Sequence, residues 1–94
     1  MFGHFNIKKA LILEVETSDT FEAFEGESPN GFIAMDIIND TGTDIEYRRG
    51  GSGNSITIPD GSTRLLLGVG DVSDIEVKAV DDSVVTIKAE AFIP

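Results

Sequence analysis

The chain has 94 residues, a length that fits one domain, and no cysteine, so no disulfide staples it and oligomer or particle contacts are a natural further source of stability. Seventeen acidic residues against seven Lys and Arg give a formal net charge of −10. That balance argues against naked nucleic acid and against an anionic membrane as partners, because both need clustered cations.

Taken in chain order, residues 1–10 read as an N-terminal arm before a single β domain over 11–94. Phe2, Phe5 and Ile7 are apolar there, His4 is the only histidine, and Lys8-Lys9 is the only basic pair before Arg48. The arm is either a frayed end or a segment that docks on a neighbour through Phe2, Phe5, Ile7, Lys8 and Lys9. The apolar run from Ala10 to Leu13 is too short for a secretory core, and no stretch approaches transmembrane length. Ten acids lie between Glu14 and Glu46, and no Lys or Arg occurs from Ala10 to Tyr47. This tract reads as a solvated face or as a surface for a basic partner.

From Leu11 onward the hydrophobic period is two, the signature of strands with one buried face. Leu11, Leu13 and Val15 alternate with Glu14 and Glu16. Ser18 to Phe24 is the one ambiguous piece, where Ser18 or Asp19 offers a cap for a short turn of helix. Phe32 to Ile38 is apolar on both faces except at Asp36. Asn39-Asp40-Thr41-Gly42 is a turn, and its match to a glycosylation sequon means no more than that without a secretory signal. Ile45 and Tyr47 then alternate with Glu46 and Arg48, and Ile56 and Ile58 with Ser55 and Thr57. Between them lies the tip Gly50-Gly51-Ser52-Gly53-Asn54. Beyond the Pro59-Asp60-Gly61 turn, Leu65 to Leu67 is again apolar on both faces. A turn is expected from Gly68 to Asp71. The last strands hold Ile75, Val77 and Ala79, then, past Asp81-Asp82-Ser83, Val85, Ile87, Ala89 and Ala91.

Short strands with turn residues at about ten-residue intervals predict an all-β fold, a small antiparallel β-sandwich or jelly-roll-like barrel. The expected core is Leu11, Leu13, Ile33, Met35, Ile37, Ile45, Tyr47, Ile56, Ile58, Leu65, Leu67, Ile75, Val77, Val85 and Ile87. The two-sided strands are either covered by the N-terminal segment or meet another subunit. Phe32 and Ile38, with Arg48 and Arg49 beside the glycine-rich tip, join the arm residues as candidate partner contacts. A faint echo links Asp44-Ile45-Glu46-Tyr47-Arg48 to Asp74-Ile75-Glu76-Val77-Lys78 and is read as two similar strands.

No catalytic constellation is present. Nucleophilic catalysis needs Ser or Cys beside a positioned base, and the one histidine lies in the arm. The glycine-rich tip is followed by a strand rather than by Lys-Ser/Thr and a helix, so it reads as a hairpin end and not a phosphate loop. Asp71, Asp74, Asp81 and Asp82 match no calcium-loop spacing and read as turn residues. Neither a cofactor nor a metal is called for. A small carbohydrate-binding module is the alternative binding class, weakened by the absence of Trp and by Tyr47 being the only aromatic with a polar handle.

The stretch from Ile38 to Phe92 resembles a family of short proteins encoded among the structural genes of tailed bacteriophages. The pattern that carries the resemblance is Thr41-Gly42-Thr43-Asp44-Ile45-Glu46-Tyr47-Arg48-Arg49-Gly50-Gly51-Ser52-Gly53, then Ile56-Thr57-Ile58-Pro59-Asp60-Gly61-Ser62. It continues through Gly68-Val69, Asp74-Ile75-Glu76-Val77-Lys78, Asp81 and Ala89-Glu90. The resemblance implies a virion component, first of all a capsid decoration (cement) protein bound to the outside of the shell, with a tail or connector component as the nearest variant. It further implies the major capsid protein or another virion protein as partner, synthesis in the host cytoplasm, and grouping as a homo-oligomer, most simply a trimer. No catalytic or ligand-binding residue comes with it.

Overall fold

Residues 9–51 and 53–94 are described by a computed structural model. Eight strands form in the order β1 (Lys9–Glu16), β2 (Glu22–Ala23), β3 (Phe32–Ile38), β4 (Ile45–Arg49), β5 (Ile56–Ile58), β6 (Thr63–Gly70), β7 (Ile75–Ala79) and β8 (Thr86–Ile93), with one 3-10 turn at Val72–Asp74. They pair into two four-stranded sheets, ordered β1-β8-β3-β6 and β2-β7-β4-β5, and every pairing is antiparallel. Each sheet alternates strands from the first and second halves of the chain. This is the double-sheet jelly-roll arrangement that the strand pattern predicted as one of its two forms.

The core lies between the sheets. Met35, Ile37, Ile45, Ile75, Val77, Ile87, Ala89 and Ala91 are wholly buried in it. Phe24 and Val72, from the connections, are buried with them and close its open side. Burying side chains of this size stabilises by about 1.5–3 kcal/mol each before entropy is set against it.

Four differences from the sequence reading have local causes. The first strand starts at Lys9, inside the expected arm, because Lys9 and Ala10 pair with Ile93 and Phe92. No helix forms after Ser18; the Ser18 hydroxyl instead donates to the Glu22 carboxylate at 2.6 Å, and Glu22–Ala23 adds to β7. The turn expected at Gly68 is absent, since β6 runs through to Gly70. Finally, Leu65, Leu67 and Ile56 are exposed at 54%, 59% and 46%, whereas Leu66 and Val69 fill the core.

One irregularity accounts for much of that last shift. Between Phe32↔Gly70 and Ala34↔Leu67, β3 advances two residues while β6 advances three. The extra residue makes a β-bulge, with Gly68 at φ 62, a backbone state open to glycine at little cost. Inward positions on β6 are therefore three apart, at Leu66 and Val69. On β3, Phe32 and Met35 both reach the core, while Ile33 and Ala34, the latter only 6% exposed, line the outer groove.

Candidate binding face

The outward surfaces of the two sheets are chemically opposite. On the β2-β7-β4-β5 sheet the outward residues of β4 and β7 are charged and paired. The Arg48 Nε donates to the Glu76 carboxylate at 2.6 Å, and the Arg48 guanidinium lies over the Phe21 ring, 4.2 Å from its centroid. Lys78 stands 2.5 Å from Asp82 and 3.7 Å from Glu46. The hydrogen bond to Asp82, with the carboxylates of Asp82 and Glu46 nearby, raises the Lys78 pKa above its ordinary 10.5. Ser55 Oγ completes the network by donating to Glu46. These contacts explain the echo in the sequence. The two similar pentapeptides are β4 and β7 themselves, and their antiparallel register sets Glu46 against Lys78 and Arg48 against Glu76. Backbone bonds repeat the symmetry, from Val80 N to the Asp44 carbonyl and from Gly50 N to the Asp74 carbonyl.

The outward surface of the β1-β8-β3-β6 sheet is apolar in its most continuous part. The register aligns Ala10, Phe92, Ala34 and Leu67 in one row across all four strands. The next row is Ile12, Glu90, Asp36 and Leu65, with apolar ends and two acids on the central strands. The third is Glu14, Lys88, Ile38 and Thr63. Between β3 and β6 the bulge opens a shallow groove of about 370 Å³ lined by Ile33, Ala34, Asp36, Leu65, Leu67 and Phe92, with Thr63 at one end. Ile12 is 67% exposed, so the apolar surface reaches both edges of the sheet. Leu65 and Leu67 are more than half exposed beside the groove, whereas Ala10, Ile33 and Phe92 are half-buried and Ala34 is buried. A contiguous apolar face on a small acidic domain is the usual mark of an interaction surface.

The residues singled out from the sequence do not gather at one place. Ile38 is half-buried on this outer face, and Phe32 is in the core at 4% exposure. Lys9 is exposed at the start of β1; Phe2, Phe5, Ile7 and Lys8 lie outside the described residues. Arg48 is engaged with Glu76 and Phe21 on the opposite sheet. Arg49 reaches across to β6, where its Nη2 donates to the Leu67 and Gly68 carbonyls at 3.0 and 2.8 Å, covering the bulged end of that edge strand. The residues that sequence reasoning missed are Leu65 and Leu67, assigned to the core, together with Ile12, Ala34 and Phe92. The apolar runs Ile33-Ala34 and Leu65-Leu66-Leu67 were the signal, but only the register tells which members of each face out.

The aspartate turns are built locally. Asp71 and Asp81 each accept hydrogen bonds from the backbone N–H and the hydroxyl of the serine two residues on, Ser73 and Ser83. For Asp71 the backbone bond is the larger cause and for Asp81 the hydroxyl bond, and both lower the carboxyl pKa from its ordinary 3.8. This matches their reading as turn residues. A second concavity of about 590 Å³ lies at the end of the molecule, lined by Gly26, Glu27, Ser28, Gly31, Phe32 and Asp71 among others.

Comparison with protein-family models, with curated proteins and with solved structures finds no match for this chain.

Proposed function

We propose that this chain is a binding module of a tailed-phage virion, a capsid decoration protein that attaches through the outer face of its β1-β8-β3-β6 sheet. The observation that carries the binding part is the contrast between the two outer faces. One is laced with intramolecular ion pairs and is complete by itself. The other presents exposed leucines, Leu67 at 59% and Leu65 at 54%, beside the half-buried Phe92 and Ala10. The virion part rests on the resemblance of Ile38 to Phe92 to short phage structural proteins. The jelly roll occurs in viral capsid domains, but equally in lectins and cupins, so it agrees with this reading without selecting it.

In this reading the chain does no catalysis, is made in the host cytoplasm and binds the major capsid protein, with a tail or connector protein as the variant partner. Copies group on the particle as a homo-oligomer, for which a trimer is the simplest form. The high negative charge keeps a protein with an open apolar face from aggregating before assembly. The sugar-binding alternative loses its best residue, because Tyr47 is only 5% exposed.

The test is mass spectrometry of purified phage particles made from the genome carrying this chain, with immunogold labelling to locate it. A copy number comparable with the capsid protein, and label over the shell, is expected. Label confined to the tail or neck would move the assignment to the variant, and absence from purified particles would end it.

A further inference from the structure

The centre of the outer face combines apolar surface with two uncompensated acids. Asp36 and Glu90 are direct cross-strand partners on the two central strands. Both are half-buried. Like charges directly opposite one another destabilise a sheet pair. Among the described residues neither carboxylate enters an ion pair. Among the described residues, Lys88 is one row away on the same strand as Glu90, opposite Glu14, with its Nζ 3.9 Å from Asp40. Around the acids lie Ile12, Leu65, Leu67 and Phe92, so a cation brought here would sit in surroundings of lowered dielectric.

From this arrangement we infer that the face recognises a partner protein surface presenting an Arg or Lys ringed by apolar side chains, the cation bridging Asp36 and Glu90 while the ring packs on Leu65, Leu67 and Phe92. Charge complementarity selects this occupant. A second copy docked face to face would bring two Asp36–Glu90 pairs together in a chain already carrying −10. An acidic partner meets the same repulsion. A purely apolar partner would bury both carboxylates without a countercharge, which is the costly outcome for a desolvated charge. The inference rests on this face being the binding surface and is independent of where in a virion, or elsewhere, the partner lies.

The test uses the full-length chain and a minimal cation with an apolar tail, octylguanidinium, titrated below its micelle concentration and followed by amide chemical shifts. Octyl sulfate, of the same tail length and opposite charge, is the control. Octylguanidinium is expected to shift the amides of Asp36, Leu65, Leu67, Glu90 and Phe92. Its binding should weaken about tenfold in Asp36→Asn/Glu90→Gln, the loss expected when a charge-assisted contact is removed. Leu67→Ser, a change at an exposed position, should weaken it as well and serves if the double variant does not fold. Equal binding of octyl sulfate would show an apolar groove without charge selection and would overturn the inference. So would shifts scattered over the acidic surface, or no binding. Concentration-dependent shifts of the same amides in the free protein would make a second copy the occupant. Contacts from Phe2 or Phe5 to Leu67 would make it the chain's own N-terminal segment. Either result also overturns the inference. Binding of octylguanidinium with no chain found in phage particles would leave the recognition standing and remove only the virion assignment.

Discussion

Asn39 is the residue on which the loop end of the sandwich hangs. It is 1% exposed and fully bonded. Its Nδ2 donates to the Thr43 and Ile58 carbonyls, both at 2.8 Å, and its Oδ1 accepts from Thr41 N and Oγ1. The backbone joins in, with Asn39 N donating to the Ser62 carbonyl and Gly61 N to the Asn39 carbonyl. The tripeptide that resembles a glycosylation site is thus a buried clamp between the β3–β4 and β5–β6 connections. Replacing Asn39 by Ala removes the side-chain donor of the buried Ile58 carbonyl and leaves the Thr43 carbonyl to the Thr41 hydroxyl at 3.0 Å, and at about 1–3 kcal/mol for one such buried group the expected loss is roughly 1–3 kcal/mol. Urea unfolding followed by far-UV dichroism measures it; a loss below about 0.5 kcal/mol would mean that water replaces the amide at no penalty. The aspartate turns give a pH signature at the same scale. Because the folded pKa values of Asp71 and Asp81 are lowered, their contribution to stability is present above pH 3.8 and is lost as pH falls through the folded values. Carbon-detected titration should place both midpoints below 3.8, with the Ser73 and Ser83 amide signals moving in step. Midpoints at or above 3.8 would break the assigned hydrogen bonds.

Among the elements, β6 shows best what could and could not be read in advance. Most strands were legible, because period-two alternation directly encodes a half-buried strand; the two-residue β2 and the end of β6 were not. The pairing of β4 with β7 was legible in retrospect, as complementary charges two residues apart. The phase of Leu65-Leu66-Leu67 was not legible, since three consecutive leucines satisfy either face. What decides it is the bulge at Gly68 and the β3–β6 register, both products of pairing across the chain. The outer face was illegible for the same reason: Leu65 and Leu67 were placed in the core, and Ile12, Ala34 and Phe92 come onto one side of the sheet only after β1, β8, β3 and β6 assemble. The phase has a direct test. Leu66 is 4% exposed, so Leu66→Ala should destabilise by about 2–5 kcal/mol. Leu67→Ala, on the outer face, should change stability by no more than about 0.5 kcal/mol. The reverse order would put β6 one residue out of register. Gly68→Ala is expected to destabilise by about 1–2 kcal/mol, from the left-handed backbone alone, since nothing within 4 Å would meet the new methyl. An unchanged unfolding midpoint would show that the bulge relaxes.

As a whole, the molecule is a two-faced sandwich. Its paired-charge face is finished within the monomer, and its apolar face is not. A small cysteine-free domain gains from binding that covers such a face, because any partner that binds only the folded state stabilises it by mass action. We propose that the outer face of the β1-β8-β3-β6 sheet is the surface by which the chain attaches to its partner. The most direct measurement is co-sedimentation of the full-length chain with phage shells assembled without it, comparing the unaltered protein with Leu65→Asp/Leu67→Asp. Both positions are more than half exposed, so the variant should keep the native dichroism spectrum. Saturable binding of the unaltered chain at a fixed ratio to the capsid protein is expected, with loss of that binding in the variant. Equal binding of the two proteins would place the attachment elsewhere on the molecule and contradict the claim.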